Sequence, residues 1–110
     1  MNIAITFRQM DASDAVKSYV TEKVGKAQRM LRDPMQAQVT VSSQGRVRAV
    51  EVELHSGSQR FHAHEESEDM YASIDKAVDK LERQIRSEKT TLKGAERASQ
   101  RMLPTDPDES

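Results

Sequence analysis

Residues 3–7 alternate, with Ile3, Ile5 and Phe7 on one side and Ala4 and Thr6 on the other. That two-residue period predicts a strand with one buried face. The period then lengthens. Val16, Tyr19, Val20, Val24, Ala27, Met30 and Leu31 fall on one face at helical spacing. Ser13 is placed to cap this helix, and Asp14 suits its first turn. Asp33-Pro34 ends it, because the residue before proline disfavours the α region. Alternation returns in QAQVTVSS (36–43), which groups Ala37, Val39 and Val41, and in VRAVEVELH (47–55), which groups Val50, Val52 and Leu54. The intervening QGR reads as a turn. Gly57-Ser58 fits a tight glycine-first hairpin turn, after which Phe61 and Ala63 point inward. A second helical period follows, with Tyr71, Ile74, Val78, Leu81 and Ile85 on the core face and Met70 at its edge. Glu65, Glu66, Glu68 and Asp69 precede or open that helix, where negative charge is favoured.

The element order is β-α-β-β-β-α. The first two strands, joined by a helix, are expected to be parallel, and the last three form an antiparallel meander. Each strand has one apolar face, so both helices are expected on the same side of the sheet. The predicted fold is α+β: a two-layer sandwich of a four-stranded mixed sheet and two helices packed on one face, like a double-stranded-RNA-binding domain. The domain is expected over residues 1–93. Residues 94–110, from "GAERASQRMLPTDPDES", hold little apolar content and end in proline and acid, which predicts a polar, disordered tail.

Composition narrows the function classes. The chain has 110 residues, 35 % of them hydrophobic and 32 % charged, which suits one domain with a modest core. With no cysteine, a disulfide, a thiolate nucleophile and a cysteine metal site are all excluded. No segment approaches the roughly 20 apolar residues of a membrane span, and MNIAITFRQM lacks a signal-like apolar run. A cytoplasmic protein without membrane contact is expected. The formal net charge of −1 conceals sorting: Arg8 to Arg48 holds eight basic and four acidic residues, whereas Glu65 to Asp69 holds four acids and no base.

Histidines are the first candidates for chemistry. With the hairpin turning at Gly57-Ser58, Glu53 lies opposite His62 and Glu51 opposite His64 on the solvent face. Two imidazoles and two carboxylates could hold a metal. Cross-strand charge pairing on an open sheet is the preferred reading, and no metal or other cofactor is expected. There is no nucleophile elbow around any serine and no glycine-rich phosphate loop, so the chain is not expected to be an enzyme.

Basic residues are more informative. On the second helix Lys76, Lys80 and Arg83 fall within about 60° of one another at roughly 100° per residue, away from the core, while Asp75, Asp79 and Glu82 gather on another flank. On the first helix Lys23, Lys26 and Arg29 form a similar row. Two such rows on one side of a sheet would neutralise phosphates. All four aromatics, Phe7, Tyr19, Phe61 and Tyr71, are expected on core faces. That disfavours base stacking and favours a folded RNA recognised by backbone and shape.

The stretch "DMYASIDKAVDKLERQIR" at 69–86 resembles the second-helix signature of the bacterial ribosome hibernation promoting factor family. That family includes ribosome-associated inhibitor A and also bears an older name, sigma-factor modulation protein; the match here is to its short form. It extends to "LH" at 54–55, "FHAHEESEDMY" at 61–71 and "VTEKVGKAQRML" at 20–31, and covers roughly residues 2–93. The resemblance implies a hibernation factor that silences translation in stationary phase or stress. Such a factor binds rRNA in the decoding channel of the small ribosomal subunit and blocks tRNA and mRNA. It further implies rRNA contacts through Lys23, Lys26, Lys80, Arg83 and Gln84, extending to Arg29, Lys76, Arg86 and Lys89. The expected partner is the small subunit, its rRNA and ribosomal proteins, with no DNA and a monomer off the ribosome. Ser87 and Glu88 depart from the basic or neutral residues more usual in the family. The older family name keeps open an alternative, a protein-binding modulator of a transcription sigma factor.

Overall fold

The computed structural model describes the backbone of residues 1–94 and the side chains of residues 1–88. The predicted tail, apart from Gly94, and the Lys89 side chain lie outside the described residues.

The elements follow the predicted order. Strand β1 spans Asn2–Arg8, helix α1 Asp14–Gly25, a 3-10 helix Lys26–Met30, β2 Met35–Gln44, β3 Val47–Ser56, β4 Gln59–Ser67 and helix α2 Met70–Gly94. The sheet order is β1-β2-β3-β4, with β1 and β2 parallel and the other two pairs antiparallel. Both hairpins have two-residue loops, Gly45-Arg46 and Gly57-Ser58, and each glycine adopts positive φ (61° and 59°). At Gly57 a Cβ would also collide with the Asp33 carboxylate, so backbone conformation and space both require glycine there.

The inward residues of the central strands (Ala37, Val39, Val41, Val50, Val52, Leu54) and Phe61 and Ala63 of β4 form one buried cluster with both helices. From α1 it takes Val16, Val20 and Val24, and from α2 Met70, Ile74, Ala77, Val78, Leu81 and Ile85. Full burial of one such aliphatic side chain contributes about 1.5–3 kcal/mol. The helices therefore cover one sheet face, as the alternation predicts, and the opposite face stays polar.

Two local features differ from expectation. The first helix does not run unbroken to Leu31. At Gly25 it tightens, and the Lys26 N–H turns back to Lys23 O, three residues before it. The 3-10 segment tucks Ala27 completely into the core and leaves Met30 and Leu31 only partly buried. The following loop is pinned by Gln28, whose Nε2 donates to Asp33 O (2.9 Å) and whose Oε1 accepts from Met35 N (2.8 Å). Secondly, α2 buries Ile74, Val78, Leu81 and Ile85 as expected, but in its first turn Met70 is buried, whereas Tyr71 lies on the rim, 38 % exposed. Tyr71 meets Tyr19 edge to face, with ring centroids 4.8 Å apart.

Candidate nucleic-acid interface

The N-cap hydrogen bond predicted for Ser13 is present, with Oγ accepting from Val16 N at 3.2 Å. It starts α1 in the phase that buries Val16, Val20 and Val24 and leaves Lys23 half-buried at the side. The Lys23 ammonium lies 5.3 Å from the centre of the Tyr19 ring, a cation–π distance. Tyr19 is itself held, because its hydroxyl donates to Asp75 Oδ1 of α2 at 2.8 Å. That hydrogen bond, desolvation and the surrounding carboxylates raise the Tyr19 pKa above its ordinary 10.0. Further along, Lys26 and Arg29 are exposed. They sit three apart on the 3-10 segment, where side chains at i and i+3 eclipse, so the change of helix type lines them up.

Helix α2 runs antiparallel to β4. Ser73 donates to Arg48 O (2.7 Å) near the end of the sheet where α2 starts, Lys80 lies against Glu65 and His64, and Gln84 reaches His62. Lys76, Lys80 and Arg83 are all exposed, as predicted, but they are not equivalent. Lys80 Nζ pairs with Glu65 Oε2 at 2.8 Å and reaches His64 O at 3.4 Å. Arg83 pairs with Asp79 one turn before it while remaining 70 % exposed. Lys76, Lys26 and Arg29 make no hydrogen bond or ion pair among the described residues. Arg86 is exposed and has its own interactions.

Gln84 is engaged with the edge strand. Its Oε1 accepts from His62 N at 3.2 Å and its Nε2 donates to His62 O at 2.6 Å. The amide thus pairs with β4 as a neighbouring strand would. One amide N–H is left for a ligand.

On the opposite face the register matches expectation, Glu53 against His62 and Glu51 against His64. The side chains pair differently. His62 Nε2 lies 2.8 Å from Glu51 Oε2, diagonally, and His64 Nε2 lies 3.1 Å from Glu66 Oε2 on its own strand. Among the described residues no group of three or more histidine or acidic side chains converges as a metal site would require.

Sequence reasoning missed two participants. Tyr71 is exposed, and its position at the boundary of the apolar stripe was the only signal. Glu65 is not a helix-opening acid. It continues the inward phase of Phe61 and Ala63, and a carboxylate in that phase signals a cationic partner on the covering helix, here Lys80.

The exposed cations of the helical face can pair with anionic groups. Residues 3–93 match the family model described as Sigma 54 modulation protein / S30EA ribosomal protein. The chain is 35 % identical over 85 residues to the ribosome hibernation promoting factor of Azotobacter vinelandii, covering 77 % of this chain and 79 % of that one. It is 31 % identical over 93 residues to the ribosome hibernation promoting factor of Escherichia coli (strain K12), covering 84 % and 98 %. The crystal structure of the Thermus thermophilus Protein Y N-terminal domain superposes with a TM-score of 0.75 at 32 % identity, over 79 % of this chain and 98 % of that one. The chain belongs to the Sigma 54 modulation protein / S30EA ribosomal protein family.

Proposed function

We propose that the protein is a ribosome hibernation factor that acts by occlusion. It lays its helical face on rRNA in the decoding channel of the small ribosomal subunit and fills the volume that tRNA and mRNA need. The names of its relatives support the hibernation role, and the family is non-enzymatic. The observation that carries the rRNA contact is the exposed row Lys76, Lys80 and Arg83 on α2, beside Lys23 on α1 and Lys26 and Arg29 on the 3-10 segment that follows it. Phosphate recognition needs cations held on a rigid element, and packing against the sheet supplies the rigidity. Gln84, Arg86 and Lys89 lie further along the same helix and extend the contact. Residues 1–93 are the ribosome-binding unit.

Lys80→Glu with Arg83→Glu tests this reading. The double variant should lose co-sedimentation with small subunits while still melting cooperatively, at a temperature lowered by loss of the Lys80–Glu65 and Arg83–Asp79 pairs and by the like charges that replace them. Normal ribosome binding by the folded variant would overturn the assignment.

A further inference from the structure

The helical face carries three charge stripes. On α2, Asp75, Asp79 and Glu82 recur at i, i+4 and i+7, and Lys76, Lys80 and Arg83 repeat that spacing one residue later, about 100° around the helix. The basic stripe leans toward β4, because Lys80 reaches Glu65 and His64. The acidic stripe therefore faces α1, and the Tyr19–Asp75 hydrogen bond marks where the helices meet. Tyr19 and Lys23 stand four apart on α1, and Lys26 opens the 3-10 segment that continues it. Helix α1 returns from β1 to the parallel β2, and α2 runs antiparallel to β4, so the two helices run in the same direction. Their stripes lie side by side. Across the face the order is basic on α1, acidic on α2, basic on α2. Among the described residues no ion pair joins Lys23 or Lys26 to Asp75, Asp79 or Glu82, so the acidic stripe does not neutralise the α1 row by direct contact.

We propose that Asp75, Asp79 and Glu82 form a specificity-determining stripe, which rests on the rRNA-binding reading above. Phosphate attraction by itself is independent of sequence, so a uniformly basic face would hold any RNA. Packed helices stand about 8–10 Å apart, so a phosphate over the centre of this face lies within about a Debye length of the carboxylates. Any RNA backbone crossing the centre is repelled. The ligand that fits is a folded RNA presenting two separate backbone segments, one over each basic row, with no phosphate between them. Specificity here is a difference of affinities produced by a repulsive element. It also accounts for a phosphate-binding surface on a chain of net charge −1.

The test is Asp79→Asn with Glu82→Gln, leaving Asp75 to hold Tyr19. Affinity is measured at one salt concentration for purified small ribosomal subunits and for a mixed-sequence RNA duplex. Duplex affinity should rise about tenfold with the loss of two repulsive charges, while affinity for the subunit changes less than about threefold, so the preference for the subunit collapses. An equal rise for both ligands, or no change in either, would overturn the proposal. Glu82→Gln alone, which keeps the Asp79–Arg83 pair, should move the preference in the same direction. An effect carried wholly by Asp79 would overturn it too, because release of Arg83 would then explain the gain. A melting curve shows that each variant is folded. If the unsubstituted protein failed to bind the subunit, the proposed function would fall; normal subunit binding with an unchanged preference would remove the stripe alone.

Discussion

Gln84 and Tyr19 each join elements far apart in the chain. Gln84 spends one donor and one acceptor on the backbone of His62, closing part of an edge strand that would otherwise offer those groups to another chain. Gln84→Ala should lower stability by about 1 kcal/mol, the usual net worth of such hydrogen bonding. Chemical denaturation measures it, and an unchanged midpoint would show that the amide contributes nothing to the fold. Tyr19 carries a pH dependence. Its folded pKa is raised above 10.0, first by the hydrogen bond to Asp75 and then by desolvation. A raised folded pKa means that the contribution is fully present below the unfolded value and fades as pH rises through the folded one. The protein should therefore lose stability above about pH 10, and Tyr19→Phe should flatten that part of the pH profile in thermal melts. A profile identical in the variant would show that the Tyr19–Asp75 bond is not linked to folding. None of these pairings was legible in the sequence. Tyr19 and Asp75 lie 56 positions apart and Gln84 and His62 22, and periodicity assigns a residue to a face without naming what it meets there.

Among the elements, the strands were the most legible, because their period places a side chain in or out without ambiguity. Pairing of Glu53 with His62 and Glu51 with His64 followed from one turn, since a two-residue loop at Gly57-Ser58 leaves a single register. The helices were less so. Continuing an α-helical period through Gly25 gave the right face and the wrong helix type, because Ala27 is buried in the 3-10 segment just as the α-helical period places it. The phase of α2 was right at Ile74, Val78, Leu81 and Ile85, and only its first turn was misassigned, with Tyr71 inside and Met70 at the edge. A stripe of apolar residues defines a direction only to within a side chain's width, and Tyr71, with its polar tip, suits the rim. The hairpin also carries a prediction. Gly57→Ala must adopt a left-handed backbone at a cost of about 1–2 kcal/mol and displace the Asp33 carboxylate, which lies against the turn. Melting should fall by several degrees, given roughly 4–8 °C per kcal/mol for a domain of this size. A variant as stable as the unsubstituted protein would mean that the turn and the Asp33 loop relax together without cost.

The whole molecule is a sheet with one face committed to two helices and the other left polar, and the proposed function uses only the outer surface of the helices. Salt separates that reading from a sigma-factor modulator binding through an apolar interface. Contacts to several phosphates make affinity fall steeply with ionic strength, and a flat salt dependence would favour the protein partner. The extent of the working unit is the last expectation at this scale. The core closes with Ile85 of α2, the family match ends at residue 93, and the residues beyond hold four acids (Glu96, Asp106, Asp108 and Glu109) against two bases (Arg97 and Arg101). Acid is repelled by rRNA phosphate, so these residues should add little to affinity. Truncation after Lys93 should leave a protein that melts as cooperatively as the full chain and binds small subunits with similar affinity and a similar salt slope. Any difference should appear in competition with mRNA or in how ribosomes distribute between single particles and dimers on a gradient. Unfolding, or outright loss of ribosome binding on truncation, would move the boundary of the domain beyond residue 93 and make the last seventeen residues part of the site.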